Sequence, residues 1–480
     1  MRCKGLLEQY HVTRGALGLD SCLISAANYQ SKSGLELEKS TVYRVLTEVM
    51  ETHPALCLRV HYENGARPYF SLLEKVDFDD VVRFVEGDHF VEDKFKNYKL
   101  VEDLMEEEFQ KSFDLQQALP LWRLIVLSDN TILFMYSHGL GDGISGLAFH
   151  EAFLNGLLRD PPDNVKLERQ TFWIPPTILK NLPDVVENLV NLKVPLSTLI
   201  PALIGTIVKR TDKRSWVGNT IQKKIDRNNR VRILTLSPEH TQAILAEARK
   251  QNSTLTGLLC ISAVKSLQWQ ADKYLHGKAR KVNIFIPVSL RKQANLTEAT
   301  FGDFVSSITW TGSWTKKDRT NLMFDFEWHI ASQISSYIRK SAVKAPARIG
   351  LLKYIKGKYE KYFMDKLGQE REAGIEVSNV GRFEPKISKA TSATENTAEQ
   401  EWKIGNTFFA QDNSVVGPVF NINVVGCPNG RLSICLTWGK DTVEDVFAEG
   451  MYECMKMKLH WMIRKPYDEK DDVIESWDNY

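Results

Sequence analysis

The sequence predicts an α/β protein with mixed sheets that are flanked by helices and arranged in two halves. Its length of 480 residues exceeds what one ordinary hydrophobic core accommodates, so two halves are expected. Strand patterns interleave with helical patterns along the chain, and some neighbouring strands are joined by tight turns. Tight turns produce antiparallel pairs and intervening helices produce parallel pairs, so the sheets should contain both. A proline-rich stretch near the middle marks the crossover between the halves.

The N-terminal half, residues 1–160, carries the clearest local patterns. Apolar residues at helical spacing predict a helix over 35–50, and the segment HPALCLRV that follows predicts a strand beginning at a proline. Residues 121–137 predict a hairpin, because the apolar runs LWRLIVL and TILFMYS flank a Ser-Asp-Asn turn. Helical spacing returns over 144–158.

The crossover covers residues 161–215. Seven prolines lie between residues 159 and 216 and should break this stretch into short helices and extended pieces. An apolar run over 194–208 is 15 residues long and contains two prolines, whereas a membrane-spanning helix needs about 20 apolar residues. We therefore expect no transmembrane span.

The C-terminal half, residues 216–480, repeats the mixture of elements. Its segment KISKATSATENTAEQE is poor in apolar residues and predicts a surface loop. A Pro-Asn-Gly turn between two apolar runs predicts a second hairpin. The predicted elements are a helix over 238–267, a strand over 281–290, a helix over 324–340, the loop over 386–401, the hairpin over 421–439 and a helix over 442–462.

Composition narrows the function. A hydrophobic fraction of 43% with 25% charged residues is typical of a globular protein. The formal net charge is +2 and no long basic run occurs, so nucleic acid is a poor candidate partner. The seven cysteines are scattered and never spaced as CxxC, which favours reduced thiols over disulfides or a metal site, and we expect no bound metal. The first 20 residues lack the apolar core of a signal peptide. We expect a cytoplasmic monomer, with peripheral association with an intracellular membrane left open.

The segment YSHGLGDG at 136–143 contains the most informative residues. His138 follows an apolar strand, three glycines lie within the next five residues, and a helix begins at once. Glycine permits backbone conformations closed to other residues and lets a ligand approach. Such a turn would hold the imidazole of His138 at the rim of a sheet, and a pKa near neutrality suits histidine to act as a general base. The alternative is a structural histidine, with Asp142 simply capping the helix.

His138-Gly-Leu-Gly-Asp142-Gly143 matches the HxxxDG signature of the superfamily that holds chloramphenicol acetyltransferase, peptide-synthetase condensation domains and plant BAHD acyltransferases. Further segments resemble that superfamily in the same order: HPAL at 53–56, FDL with PLWR over 113–123, PVSLR at 287–291 with FGDFV at 301–305, and VSNVG at 377–381. Cys57 stands where an arginine is usual, Ser137 replaces the first histidine of condensation domains, and the BAHD motif DFGWG is absent. With LGLDSC near the start, the chain most resembles the fungal alcohol O-acetyltransferase family.

The resemblance implies two chloramphenicol-acetyltransferase-like halves side by side, with a tunnel at their interface. It implies an acyl-CoA-dependent O-acyltransferase of secondary metabolism, with acetyl-CoA or another acyl-CoA as co-substrate and no bound cofactor. The acceptor would be a small-molecule alcohol or amine. Donor and acceptor would enter from opposite faces and meet at His138, the catalytic base.

The other site residues have two interpretations each. Asp142 would either orient the imidazole of His138, as a triad aspartate does, or pair with Arg291, as the resemblance implies; in the second case Asp142, Gly143 and Arg291 are structural. Ser378 and Asn379 would either line the tunnel and assist the oxyanion or form a polar turn before a glycine.

Two other functions stay open at this point. An amide-forming or carrier-protein-dependent condensation-type enzyme would be distinguished by whether acyl-CoA suffices as donor. A non-catalytic scaffold of the same fold would need neither His138 nor its glycines, so their presence speaks against it.

Overall fold

The computed structural model describes residues 5–62, 68–86, 98–159, 170–200, 212, 214–274, 279–315, 326–388 and 401–462. Its helices are, in chain order, α1 (Leu6–Ala16), α2 (Lys39–Thr52), α3 (Lys99–Gln110), α4 (Gly143–Leu157), α5 (Val186–Leu189), α6 (Pro238–Lys250), α7 (Leu255–Tyr274), α8 (Trp328–Ala342), α9 (Pro346–Gly350), α10 (Tyr359–Met364) and α11 (Asp445–Trp461). Its strands are β1 (Leu23–Ser31), β2 (Leu58–His61), β3 (Tyr69–Leu72), β4 (Lys75–Asp77), β5 (Val82–Val85), β6 (Trp122–Leu127), β7 (Thr131–Tyr136), β8 (Thr171–Trp173), β9 (Asn229–Leu236), β10 (Lys281–Ser289), β11 (Val305–Ser313), β12 (Ile375–Arg382), β13 (Trp402–Gln411), β14 (Phe420–Gly426) and β15 (Leu432–Gly439).

The first large sheet has five strands in the order β13-β1-β7-β6-β5. The pairs of β1 with β13, β1 with β7 and β6 with β7 are antiparallel, whereas β5 and β6 are parallel. Four of these strands come from the first 136 residues, but the edge strand β13 comes from the C-terminal part of the chain. One strand therefore crosses from the second half of the sequence into the first sheet. The boundaries predicted for the halves stay a prediction.

The second large sheet has six strands in the order β11-β10-β12-β14-β15-β9. β12 runs parallel to both β10 and β14, and the remaining pairs are antiparallel. Both large sheets are therefore mixed, as the alternation of hairpins and helices predicted. Two small sheets pair β2 with β3 and β4 with β8.

The two large sheets are joined by α3 as well as by β13. The Glu102 carboxylate accepts a hydrogen bond from the backbone N–H of Ile233 at 2.8 Å, and Glu106 accepts one from Val231 at 3.0 Å. Both acceptors lie on α3, and both donors lie on the edge strand β9. Burying unpaired N–H groups of an edge strand would cost free energy. The carboxylates on α3, on the side of the first sheet, accept hydrogen bonds from these groups at the edge of the second sheet.

Several predicted elements are confirmed. The hairpin at 121–137 is β6 and β7, the helix at 144–158 is α4, and the strand at 281–290 is β10. The second hairpin is β14 and β15, and its turn places Gly430 at a φ of +84°, a conformation that favours glycine. Stacking of Phe134 on Phe149, with ring centroids 3.8 Å apart, attaches α4 to β7.

The helix predicted over 238–267 is two helices. Asn252 has a left-handed backbone with a φ of +53°, which ends α6, and α7 begins three residues later. The Thr254 hydroxyl accepts a hydrogen bond from the backbone N–H of Gly257 at 3.2 Å and caps the new helix. The short polar run between the two apolar patterns causes this break, because the side chains of Asn, Ser and Thr can hydrogen-bond to the unpaired backbone groups at helix ends.

Other boundaries differ by a few residues. The segment HPALCLRV begins with a 3-10 turn, Pro54–Cys57, before strand β2. The helices predicted at 35–50, 324–340 and 442–462 are α2, α8 and α11, which begin three or four residues later than predicted. Most of the predicted loop at 386–401 and part of the apolar run at 194–208 lie outside the described residues. Among the described helices, none is long and apolar enough to cross a membrane.

Candidate active site

The turn between β7 and α4 presents His138. β7 ends at Tyr136, whose hydroxyl donates a hydrogen bond to the backbone carbonyl of Asp142 at 2.8 Å and so closes the turn across its base. α1 lies directly against the turn: a Cβ added at Gly139 would stand 2.6 Å from a methyl carbon of Val12. Glycine at this position therefore allows the approach of α1, which carries His11 to the site.

His138 meets two further polar side chains. Its Nδ1 lies 2.5 Å from Nδ1 of His11 and 3.9 Å from Oδ1 of Asp303, and Nδ1 of His11 lies 3.1 Å from Oδ2 of Asp303. The side chain of Asp303 is 0% exposed, whereas that of His138 is 14% exposed. The imidazole of His138 is therefore held on its inner side and reachable on its outer side.

Burial controls the protonation of this group. Burial, together with the neighbouring His11, lowers the pKa of His138 to about 4. Burial likewise lowers the pKa of His11 to about 3 and raises the pKa of Asp303 to about 7. At neutral pH both imidazoles are neutral, so His138 has a nitrogen lone pair available to take a proton.

Asp142 and Arg291 form a buried, bidentate ion pair. Arg291 donates from Nη1 to Oδ2 of Asp142 at 2.6 Å and from Nη2 to Oδ1 at 2.9 Å, and both side chains are 2% exposed. Burial alone would raise the pKa of Asp142, but the Arg291 guanidinium holds it below its usual value. The carboxylate also accepts from the backbone N–H groups of Ile144 and Ser145, which makes Asp142 the N-cap of α4.

The same ion pair holds the segment before β11. Oδ2 of Asp142 accepts from the backbone N–H of Phe304 at 3.0 Å, and Arg291 donates to the carbonyl of Gly302 at 3.1 Å. Asp303 stands between these two anchored residues. The described hydrogen bonds of the Asp142 carboxylate therefore go to Arg291, the start of α4 and this segment, and not to His138.

Gly143 admits side chains from the C-terminal part of the chain. A Cβ added there would lie 2.6 Å from the ring of Phe409 on β13 and 2.8 Å from a methyl group of Val380 on β12. Any larger residue at 143 would push these two strands away from the start of α4.

Ser378 and Asn379 lie on β12, close in sequence to Val380. The Asn379 amide donates to the Thr256 hydroxyl at 3.1 Å and accepts from the backbone N–H of Gly381 at 2.9 Å, and Gly381 has a φ of +90°. Asn379 therefore shapes the polar turn before the glycine. The Ser378 side chain is buried.

Sequence patterns alone do not identify His11 or Asp303 as site residues. No motif surrounds His11, and Asp303 is only one position of the FGDFV segment. His11 and His138 are 127 positions apart, so no ligand-like spacing links them. The expectation of no bound metal rests on spacing in the sequence, whereas the fold assembles His11, His138 and Asp303 with their ligand atoms within 4.8 Å of one another.

The spacing within this cluster fits a shared proton better than a shared metal ion. Two imidazole nitrogens on one tetrahedral zinc ion, each bound at about 2.0–2.1 Å, would be about 3.3 Å apart. The 2.5 Å between the Nδ1 atoms of His11 and His138 is well below that separation, and the two nitrogens are paired by a short hydrogen bond.

A small open cleft lies beside the His138 turn. Its walls come from widely separated parts of the chain, including Glu8, Leu58, Gly139, Leu182 and Asp303. The cleft therefore reaches both the His138 turn and the segment that carries Asp303.

Comparison with known proteins assigns the chain to a family. Residues 4–457 match the sequence profile of the family described as alcohol acetyltransferase. A probable alcohol acetyltransferase, crmB of Aspergillus fumigatus, is 25% identical over 92% of this chain and 96% of its own length. The N-acetyltransferase SLI1 of Saccharomyces cerevisiae is 22% identical over 96% of this chain and 98% of its own.

Solved structures support the fold. The trichothecene 15-O-acetyltransferase TRI3 of Fusarium sporotrichioides superposes with a TM-score of 0.67 at 14% identity, covering 96% of this chain and 94% of that one. The first condensation domain of the CDA synthetase gives 0.58 at 12% identity, covering 96% of each chain. These likenesses confirm the predicted fold class, mixed α/β of the chloramphenicol-acetyltransferase and condensation-domain type. Because the family match spans nearly the whole chain, the protein belongs to the alcohol acetyltransferase family and is an acyltransferase.

Proposed function

We propose that this acyltransferase moves the acyl group of acetyl-CoA, or of another acyl-CoA, to the hydroxyl group of a small molecule, with His138 as general base. The observation that carries the proposal is the setting of His138. Its neutral imidazole is held from behind by His11 and is partly exposed, and the next residue, Gly139, lies in the wall of a cleft. The relative crmB, a probable alcohol acetyltransferase, and the trichothecene 15-O-acetyltransferase TRI3 support a hydroxyl acceptor.

The chemistry needs a base that is unprotonated at neutral pH. An alcohol is a weak nucleophile, and a positioned base that removes its proton contributes typically about 10²–10⁴-fold to the rate. Because Nδ1 of His138 faces His11, Nε2 is the nitrogen left for the substrate. A pKa lowered to about 4 keeps that nitrogen free of a proton at pH 7.

In the proposed reaction Nε2 takes the hydroxyl proton while the oxygen forms a bond to the thioester carbonyl carbon. The carbonyl electrons move to oxygen and give a tetrahedral oxyanion, which hydrogen-bond donors stabilise. The carbon–sulfur bond then breaks, the carbonyl reforms, and the leaving CoA thiolate takes the proton back from His138. The products are the ester and free CoA, and the histidine is restored.

Ser378 is the candidate donor to the oxyanion. Its hydroxyl lies on β12, two residues before Val380, whose side chain approaches Gly143. Asn379 is a weaker candidate, since its amide already holds Thr256 and the turn at Gly381.

An amine acceptor is the second candidate, and the name of the relative SLI1 favours it. The same base would remove a proton from the nitrogen as it attacks the thioester. A carrier-protein-bound donor is distinguished from both, because acyl-CoA alone would not support turnover.

The test is incubation of the purified protein with acetyl-CoA and a panel of alcohols and amines, with free CoA thiol as the readout. His138→Ala should fold and lose on the order of 10²-fold or more of the rate. The matched control is His329→Ala on α8, an exposed histidine that should keep wild-type activity. A folded His138→Ala protein with most of its kcat would remove His138 from the mechanism.

A further inference from the structure

We propose that Asp303 and His11 act on the general base from behind, and that together they hold Nδ1 of His138 and stabilise the imidazolium that forms when Nε2 takes the acceptor proton. The inference rests on the proposed role of His138. Asp303 and His11 are positioning residues in this scheme, because each works through His138 and not on a substrate.

Three atoms converge on the inner face of the imidazole. Nδ1 of His11 lies 2.5 Å from Nδ1 of His138 and 3.1 Å from Oδ2 of Asp303, and Oδ1 of Asp303 lies 3.9 Å from Nδ1 of His138. Once Nε2 carries the substrate proton, Nδ1–H of His138 must donate to an acceptor. The lone pair on Nδ1 of His11 supplies that acceptor. The same nitrogen then has no hydrogen to donate to Asp303, so the carboxylate acts on the imidazolium through its charge.

Asp303 has no cation of its own in the resting site. Neither of its oxygens has a well-oriented hydrogen bond to any other described residue. The two nearest guanidinium groups are engaged elsewhere: Arg14 donates to Asp20 at 2.8 Å, and Arg291 is paired with Asp142. A buried carboxylate without a partner is costly to ionise, which agrees with its raised pKa.

The positive charge that Asp303 lacks is created by the reaction. An imidazolium at His138 would place a full charge within 3.9 Å of a carboxylate that is 0% exposed, where solvent screens the attraction little. The attraction is then stronger in the transition state than in the resting enzyme, which is the condition for accelerating the chemical step. Asp303 would thus serve as the anion of the site, while Asp142 keeps it in place.

The fold holds both residues firmly. The backbone on either side of Asp303 is fixed by the Asp142–Arg291 pair, through Phe304 N–H and the Gly302 carbonyl. His11 is fixed by the close approach of α1 to Gly139. A change in Asp142 is therefore expected to reach His138 through Asp303.

The experiment measures the pKa of His138 and the kinetics in the same proteins. Histidine labelled with ¹³C at Cε1 gives a titration curve by NMR, and the His138 signal is assigned by its loss in His138→Ala. The variants are Asp303→Asn, His11→Asn, which keeps an acceptor oxygen near the position of Nδ1, and His11→Phe, which removes it. Glu108→Gln is the matched control, a buried carboxylate on α3 that accepts from Arg83 at 3.2 Å.

The His138 signal of the wild type should show an inflection near pH 7, where Asp303 ionises, in addition to its own protonation near pH 4. Asp303→Asn should lose the inflection near pH 7 and should lower kcat on the order of 10-fold or more with little change in KM. His11→Asn should retain more activity than His11→Phe. Glu108→Gln should leave the His138 titration unchanged, even where its melting temperature falls.

The inference is overturned if the titration curve of His138 in Asp303→Asn is the same as in the wild type. This holds whether kcat is kept or falls only in proportion to thermal stability. Failure of the proposed function has a different signature: no acyl transfer by the wild type to any acceptor in the panel. The NMR titration needs no activity, so it tests the coupling of Asp303 to His138 in that case as well.

Discussion

Replacing Asp142 by asparagine separates the two roles that this residue could have. Asparagine keeps the shape of the side chain and an oxygen that can accept from the N–H groups of Ile144 and Ser145, so the cap of α4 survives. It removes the charge that faces Arg291. If Asp142 is structural, Asp142→Asn should lose thermal stability and activity together.

The magnitude follows from the burial of the pair. Both side chains are 2% exposed and joined by two hydrogen bonds, so solvent screens them little. Breaking such a pair leaves one charge uncompensated and costs about 3–5 kcal/mol. An unfolding entropy of about 2.1 cal/mol/K per residue amounts to about 1 kcal/mol/K for 480 residues, so the melting temperature should fall by about 3–5 °C.

Thermal melts beside rates for Asp142→Asn, Asp142→Ala, Arg291→Ala and the double alanine variant complete the assay. The double variant should be less destabilised than the sum of the two single ones by about 2–3 kcal/mol, because it leaves no charge alone. Asp365→Asn, which breaks an exposed pair with Lys361, should leave the melting temperature unchanged. Additive losses in the double variant, or an Asp142→Asn protein of wild-type stability with a collapsed kcat, would refute the structural role.

Three other predictions concern the surroundings of the site. Gly139→Ala places a methyl group 2.6 Å from Val12, so it should destabilise the protein by about 1–3 kcal/mol and lower kcat by displacing α1. Gly15→Ala, on α1 itself with open space around it, should be tolerated. Equal effects of the two substitutions would contradict the packing argument. Burial lowers the pKa of His53 to about 4, so between pH 6.5 and 4 the unfolded chain binds a proton that the folded protein does not. The stability advantage of wild type over His53→Gln should therefore shrink by about 1.4 kcal/mol per pH unit as the pH falls through that window. A constant difference in stability, measured by denaturant melts, would exclude this. Transfer activity should be unchanged by EDTA, since the proposed step needs a base and a shared proton only; a loss that added zinc restores would contradict it.

Local patterns were enough to predict much of this protein. The hairpin of β6 and β7, helix α4, and the glycine turn that carries His138 all follow from short-range alternation and helical spacing. The break between α6 and α7 could have been predicted from the run of Asn252, Ser253 and Thr254, which carries its own cap. Resemblance in five ordered segments added Arg291 as the partner of Asp142, which neither periodicity nor spacing identifies.

What the sequence alone determined is the set of elements and the motif residue His138, because helix and strand periodicity and a glycine turn are properties of neighbouring positions. Only the tertiary structure decided which side chains contact the inner side of that imidazole. His11 comes from α1, Asp303 from the segment before β11, and β13 joins the first sheet from the far end of the chain. Contacts between residues more than a hundred positions apart are set by how helices and sheets pack, and packing leaves no periodic signal at either residue.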